Sequence, residues 1–292
     1  MKVKKLIVFL LFAYLPMMAV GLVIKHYSGG IDMTAADSNA LFAFIFSAGS
    51  MLIPMLAVVF TQLIFKEKVF SGCGISLRFN RWWWIGWLLM TVIALATLGV
   101  SLLMPGESFA SDSEALQQGM AQLGGGGVLA FLAISVFSGM IAGATINTVF
   151  AFGEEVAWRG FLLKEFAGKK FLTVSLIIGV IWGFWHFPLI LLGHNYPQHP
   201  VLGVFLMVVM CVLLTPILMY FRKKSGTVLV PAIMHGTFNG VVGISNILVE
   251  PANDLLIGGP GLAGFIVLLL TNVCLFLYDH YCSKEDIYLK AL

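Results

Sequence analysis

The chain has 292 residues, of which 60% are hydrophobic and only 11% are charged. Soluble domains carry about 25% charged residues, so this composition excludes an ordinary soluble protein and indicates an integral membrane protein. The formal net charge of +3 does not indicate nucleic-acid binding, because the lysines and arginines form short clusters at the ends of apolar runs rather than one basic face.

Eight apolar runs along the chain reach the length of about 20 residues that a helix needs to cross the hydrocarbon core of a membrane. They cover approximately residues 6–24, 40–65, 83–104, 128–152, 171–192, 201–221, 228–249 and 261–278. We therefore predict an all-α, polytopic bundle of about eight transmembrane helices that forms one integral membrane domain over residues 1–292. The first run is longer than the apolar region of a secretory signal peptide, which favours an uncleaved anchor.

The positions of the basic residues predict the topology of this bundle. Apart from Arg159 and Lys25, every lysine and arginine lies near a terminus or in alternate loops between the runs. Because positive residues concentrate on the cytoplasmic side of a membrane, both termini are predicted to be cytoplasmic. The short chain and its lysine-rich inner loops are typical of a bacterial protein, so we expect it in the bacterial cytoplasmic membrane.

Three ionisable residues, Glu154, Glu155 and Arg159, follow the fourth apolar run directly. A charged residue at the centre of a membrane helix costs about 2.5 to 3.5 kcal/mol, so such a cluster requires partners. Residues four apart share one face of a helix, which pairs Glu155 with Arg159, whereas Glu154 points about 100° away from Glu155. We interpret the pair as support and Glu154 as the reactive group. The alternative is a helix that emerges into water and carries an ordinary surface ion pair.

The fifth and seventh runs carry further polar residues at a matching depth. His186 lies in the fifth run, and Pro188 should bend or loosen the helix beside it. His235 and Asn239 are four residues apart in the seventh run and therefore share a face. Glu154 and His186 are equally far in sequence from the turn between the fourth and fifth runs. Each residue alone could serve only to make a hydrogen bond between helices. Together they predict one buried site that can activate water and bind an oxyanion.

These residues form three short motifs in a fixed order, and the sequence thereby resembles the CPBP family of CAAX proteases and bacteriocin-processing proteins, also called the Abi family. The family pattern is EExxxR, then FxxxH, then HxxxN, each on a membrane helix. In this chain the motifs read Glu154-Glu155-x-x-x-Arg159, Trp182-x-x-x-His186 and His235-x-x-x-Asn239. The departure is Trp182, where the family usually has phenylalanine. The resemblance covers roughly residues 128–249, which we take as the motif-bearing core.

The resemblance implies an intramembrane endopeptidase that hydrolyses a peptide bond of a membrane-associated or lipidated protein or peptide. By similarity to the prenyl-protein endopeptidases of the family, Glu154 and His186 would activate the attacking water. His235 and Asn239 would hold the oxyanion. The substrate itself and the oligomeric state do not follow from the sequence.

The same resemblance assigns Glu155 and Arg159 to the support of the site. No cofactor is favoured, because the HExxH arrangement of a zinc protease helix is absent. Zinc bound by Glu154, His186 and His235 stays the alternative, since a glutamate and two histidines are suitable ligands.

Other kinds of membrane protein compete with this interpretation. The spacing Ser138-Gly139-x-x-x-Gly143 partly resembles a rhomboid nucleophile pattern, but Val136 stands where that pattern has glycine, and small residues four apart are typical of helix packing. No aspartate lies in any of the eight runs, which disfavours aspartyl protease chemistry. A non-catalytic bacteriocin-immunity or membrane regulatory protein remains the second hypothesis, whereas transport lacks the expected two-fold repeat.

Overall fold

Helices account for most of the chain in this computed structural model, which describes residues 3–29 and 38–292. Two short strands, β1 (Ser108–Phe109) and β2 (Val249–Glu250), pair antiparallel between the helices. The helices are α1 Val3–Ser28, α2 Ser38–Ser50, α3 Ile53–Ile64, α4 Trp82–Ser101, α5 Glu114–Gln122, α6 Val128–Ala142, α7 Thr148–Glu155, α8 Leu163–Glu165, α9 Phe171–Trp185, α10 Phe187–Ile190, α11 Pro200–Ser225, α12 Leu229–Val241, α13 Ser245–Leu248 and α14 Leu262–Leu277.

Six helical stretches in the described residues are long and apolar enough to cross a membrane. The predicted fold class, a polytopic helical bundle, is therefore confirmed, and the protein is a multi-pass integral membrane protein. The stretches are Val3–Ser28, Leu41–Ile64, Trp82–Ser101, Val128–Glu165, Pro200–Ser225 and Leu262–Ser283.

The two remaining predicted spans are shorter than the sequence indicates. The fifth contains α9 with 15 residues, and the seventh contains α12 with 13 residues. At the end of α9, His186 is followed by the short helix α10 with Pro188 in its first turn, as expected for a residue that cannot donate a backbone hydrogen bond. Both histidine motifs thus lie on discontinuous helices, a form that membranes tolerate where the backbone is buried in protein.

The fourth span is longer than predicted. It continues from Val128 to Glu165, 38 residues, instead of ending at Phe152. An α-helix of that length spans roughly 57 Å, well beyond the hydrocarbon core of about 30 Å. Two π-helical segments interrupt its α-helical geometry, at Gly143–Asn147 and at Val156–Leu162. Single π turns of this kind occur frequently at functional sites, and the second one begins directly after Glu155.

Glycines bring α12 into close contact with the fourth span. A Cβ atom added to Gly143 would lie 2.5 Å from the Cα atom of Thr237, and one added to Gly236 would lie 2.5 Å from the carbonyl oxygen of Gly143. Gly139 and Gly240 meet in the same way one turn along. The prediction that the Gly139/Gly143 spacing serves helix packing is confirmed. The contact sets α12, and with it His235, against the helix that carries the glutamates.

Both ends of the described chain meet at the turn between α8 and α9. Lys5 binds the carboxylates of Glu67, at 2.6 Å, and of Glu165. The amide of Phe171 donates to the carbonyl oxygen of Lys290, at 3.0 Å. The two ends of the described chain therefore lie on the same side of the bundle, which agrees with the even number of crossings in the prediction. The assignment of that side to the cytoplasm stays a prediction from the basic residues.

Candidate active site

The Glu154 carboxylate lies inside the bundle at the end of α7, where it is 1% exposed. Its Oε2 atom accepts two hydrogen bonds from tryptophan indoles. The Nε1–H of Trp158, one turn further along the chain, donates at 3.2 Å, and that of Trp182, on α9, donates at 2.5 Å. The other oxygen, Oε1, accepts no hydrogen bond from the described residues. One oxygen of the carboxylate is therefore anchored, and the other is available for a reacting group.

Glu155 and Arg159 form the ion pair that their spacing predicts. Glu155 Oε1 lies 2.9 Å from Arg159 Nη1, and both side chains are fully buried. Arg159 Nη2 also donates to the hydroxyl oxygen of Thr215 on α11, at 3.1 Å. The alternative of a surface ion pair is wrong, because no part of either side chain reaches the surface. Paired burial of this kind is what makes two charges tolerable in an apolar bundle.

His235 also contacts Glu155, which sequence reasoning missed. Its Nδ1 atom lies 3.0 Å from Glu155 Oε1, across the interface between α12 and the fourth span. Because the carboxylate paired with Arg159 can only accept, Nδ1 carries the hydrogen and Nε2 is left for other partners. The residues are far apart in sequence, so no local spacing could have indicated this contact. Glu155 therefore connects the arginine and the histidine.

His186 ends α9 and is held by the backbone of its own helix. Its Nδ1 atom lies 2.9 Å from the carbonyl oxygen of Trp182, and its side chain is buried. A carbonyl oxygen only accepts, so Nδ1 is again the donor and Nε2 is left over. The two histidines thus have the same arrangement, in which Nδ1 is anchored by an oxygen and Nε2 is not.

Trp182 lies at the centre of the cluster. The Arg159 guanidinium carbon is 4.2 Å from the centroid of its ring, and the His235 and His186 rings are 5.2 and 5.9 Å away. Its indole N–H binds Glu154. Sequence reasoning treated Trp182 as a replacement for the aromatic ring of the family pattern and did not anticipate its hydrogen bond. The signal that could have indicated it is the position four residues before His186, at the depth of Glu154.

Asn239 lies one turn beyond His235 on α12, and its side chain is exposed. In the part of the chain that the structure describes, it makes no hydrogen bond with the cluster. The structure therefore brings together Glu154, Glu155, Arg159, His186 and His235, whereas Asn239 stays on the same helix at the edge of the site.

The zinc alternative names three side chains of the cluster as ligands, Glu154, His186 and His235. Within residues 3–29 and 38–292, no group of three or more histidine, cysteine, aspartate or glutamate side chains is arranged to hold a metal ion. Each histidine is anchored through Nδ1, which leaves its Nε2 atom available, as is usual for histidines that bind metals. Zinc bound by Glu154, His186 and His235 therefore stays the alternative that the sequence left open.

Comparison with known proteins finds a match to a protein family in the same part of the chain. Residues 136–241 match the family described as type II CAAX prenyl endopeptidase Rce1-like. The match is to these residues, about a third of the chain. In addition, 44 residues are 36% identical to CAAX prenyl protease 2 of Methanococcus maripaludis, over 15% of this chain and 16% of the relative. The match thus spans about a sixth of the length of that relative.

The matched range extends from within α6 to the end of α12, so it contains all three motifs. The resemblance that the motifs carry is confirmed over this range. Helices outside this range pack against it. The Trp185 indole of α9 donates to the carbonyl oxygen of Ala13 on α1, at 3.1 Å, and the Tyr14 hydroxyl donates to the carbonyl oxygen of Ile181, at 2.6 Å.

Proposed function

We propose that the protein is an intramembrane endopeptidase that hydrolyses a peptide bond of a membrane-associated protein or peptide. The observation that carries the proposal is the Glu154 carboxylate, which is buried in an apolar bundle. One of its oxygens is anchored, and the other accepts no hydrogen bond from the described residues. A surface ion pair or a packing contact needs no such arrangement. The match of residues 136–241 to a family of prenyl endopeptidases supports the same reaction class.

In this proposal Glu154 is the general base. Its free Oε1 takes a proton from a water molecule, and the water oxygen adds to the carbonyl carbon of the scissile peptide. His186 shares the task through Nε2, which its Nδ1–H contact with the backbone leaves available. The proton then passes to the leaving nitrogen as the C–N bond breaks, which yields a carboxylate and an amine.

His235 and Asn239 are proposed to stabilise the oxyanion of the tetrahedral intermediate. A hydrogen bond from His235 Nε2 to the oxyanion requires the doubly protonated ring, whose Nδ1–H stays on Glu155. The Asn239 amide is a donor in any protonation state, and its exposed position gives a substrate access to it. Removal of one such donor typically lowers kcat by about 10²- to 10³-fold.

We favour a mechanism without a bound metal ion, because the cluster lacks a group of ligands arranged for one in the described residues. The substrate class is proposed from the setting of the site: the peptide bond must reach a carboxylate inside a membrane bundle, so the substrate is embedded in or anchored to the bilayer. A prenylated CAAX peptide is one substrate to try, since the matched family is described as prenyl endopeptidases.

The test is proteolysis by the purified protein in lipid vesicles. Peptidomes of cells that express the wild type and Glu154→Gln identify candidate substrates, which are then assayed with Glu154→Gln, His186→Ala and His235→Ala. We expect each variant to lose at least about 100-fold in kcat. Asp112→Asn, an exposed position outside the cluster, serves as the control. Cleavage by Glu154→Gln at the wild-type rate would refute the proposal.

The same preparation addresses the two alternatives. Active protein that holds no stoichiometric metal and keeps its activity in a chelator supports the metal-free mechanism, and activity that is lost and then restored by zinc contradicts it. A protective phenotype in cells that survives all three substitutions would favour the non-catalytic immunity or regulatory role.

A further inference from the structure

Trp182 makes a contact that the residue usual at its position cannot make. The motif that this chain resembles has phenylalanine four residues before the histidine, and phenylalanine has no hydrogen-bond donor. Here an indole N–H stands 2.5 Å from Glu154 Oε2. We propose that Trp182 is a positioning residue, which holds the Glu154 carboxylate in the orientation that presents Oε1 to the attacking water.

The argument starts from the freedom of a glutamate side chain. The terminal torsion of glutamate is broad, so an isolated carboxylate rotates over a wide range. Two donors on one oxygen remove that freedom. Trp158 donates from one turn along the same helix, and Trp182 donates from the opposing helix α9. Since the two indoles come from different elements, the carboxylate is fixed relative to both.

The burial of an indole does not by itself explain the contact. A buried Trp N–H needs some acceptor, and a backbone carbonyl is sufficient. Trp185, which is equally buried, donates to the carbonyl oxygen of Ala13. Trp158 and Trp182 instead share a single oxygen of one carboxylate. This convergence is expected if the carboxylate has to be oriented, and it has no use in packing alone.

Trp182 also relates Glu154 to the other residues of the site. Its own carbonyl oxygen accepts from His186 Nδ1, and its ring face carries the Arg159 guanidinium at 4.2 Å. The residue that orients the proposed base therefore also sets the ring of His186. A displacement of α9 at Trp182 would therefore move both groups, and a misplacement of about 1 Å can cost 10²-fold in rate.

The first experiment examines the hydrogen bond without any assay of proteolysis. Protein labelled with ¹⁵N in the indole rings gives signals from seven tryptophans. Trp→Phe substitutions at the other six positions assign their signals, and the Trp182 signal follows by elimination. In Glu154→Gln the acceptor becomes neutral, so the Trp182 and Trp158 indole protons should move upfield, with the larger change at Trp182. The Trp87 indole, which donates to the carbonyl oxygen of Met140, should not move. An unchanged Trp182 signal would overturn the proposal, even if Trp182→Phe fails to fold.

The second experiment is kinetic and rests on the proposed function. Trp182→Phe keeps an aromatic ring and removes the donor, so we expect kcat to fall by about 10- to 100-fold with KM within about twofold of the wild type. Trp158→Phe, which removes the longer bond, should show a smaller fall, and Trp87→Phe should leave kcat unchanged. An active wild type whose kcat is insensitive to Trp182→Phe refutes the positioning role while the protease proposal stands. An inactive wild type refutes the protease proposal, and the spectroscopic test of the bond between Trp182 and Glu154 stays valid.

Discussion

Glu155 and His235 are eighty positions apart in sequence, yet Glu155 Oε1 lies 3.0 Å from His235 Nδ1 across the interface of two helices. The same oxygen accepts a hydrogen bond from Arg159 Nη1 at 2.9 Å. A single buried carboxylate oxygen thus fixes one histidine and neutralises one arginine. Glu154, directly before it, makes no hydrogen bond with either of them in the described residues and is held by two indoles instead. The adjacent glutamates therefore have different neighbours, and their substitution should have different consequences.

Replacement of Arg159 should damage the fold, whereas replacement of Glu154 should not. Arg159→Ala leaves Glu155 buried without its ion-pair partner, and breaking a buried pair in this way costs about 3 to 5 kcal/mol. Glu154→Gln keeps the shape and an oxygen acceptor for the indoles but removes the proposed base. We expect a large fall in the apparent Tm of detergent-solubilised protein for Arg159→Ala and little change for Glu154→Gln. Equal falls in Tm for the two variants would contradict this division.

The close contact between α12 and the fourth span should not tolerate a methyl group. In Gly143→Ala the new Cβ would lie 2.5 Å from the Thr237 Cα atom, which belongs to the backbone and cannot rotate away. Overpacking of this kind costs about 1 to 3 kcal/mol, and it displaces the helix that carries His235. We expect a lower Tm and lower cleavage.

Gly99 on α4 provides the matched control for that substitution. Nothing lies within 4 Å of the position of a Cβ atom at Gly99. Alanine is favoured over glycine inside a helix by about 0.5 to 1 kcal/mol, so Gly99→Ala should leave Tm unchanged or raise it. If Gly143→Ala behaved like Gly99→Ala, the two helices would not be in backbone contact.

The network around Glu67 should make stability depend on acid pH. The hydrogen bond from Lys5, together with that from Lys164, holds the pKa of the Glu67 carboxyl below its ordinary value of 4.5. Because the pKa is lower in the folded protein than in the unfolded chain, the stabilisation is complete above the ordinary value and is lost as the pH falls through the lowered one. The carboxylate is one-third exposed, so the contribution should stay below about 1 kcal/mol.

Thermal unfolding measured from about pH 7 down to pH 3.5 tests this dependence. Glu67→Gln should lower Tm at neutral pH and show a smaller loss on acidification than the wild type, so that the two curves converge at low pH. Asp112→Asn, an exposed residue elsewhere, should follow the wild type. A constant difference between wild type and Glu67→Gln at all pH values would contradict the assignment.

Tyr288 should stabilise the turn between α8 and α9 through its ring and not through its hydroxyl. The ring is 4% exposed and packs against those of Phe171, Tyr220 and Phe276, with centroids 5.0, 5.7 and 6.0 Å away. Its hydroxyl has no hydrogen-bond partner among the described residues. Tyr288→Ala should cost about 3 kcal/mol or more, whereas Tyr288→Phe should be neutral. A comparable fall in Tm for both variants would show that the hydroxyl is engaged.

The sequence by itself determined the membrane class and the helical fold, and it predicted that Glu154, His186 and His235 belong to one candidate site. Apolar runs of a set length have few alternatives in a bilayer, because every backbone polar group must be satisfied within the helix. Charges in such runs are costly, so Glu154, Glu155 and Arg159 were conspicuous, and helical spacing alone predicted the pair of Glu155 with Arg159.

Only the tertiary structure decided which groups meet across helices. The bond from Trp182 to Glu154 and the bond from His235 to Glu155 join segments whose relative rotation no local spacing fixes. The same holds for the length of the helices: α9 stops at Trp185 and α12 at Val241, although the apolar runs continue beyond both. Hydropathy records only that a segment avoids water. The direction in which each polar side chain points depends on the packing of neighbouring helices, here on the glycine contacts that set α12 against the fourth span.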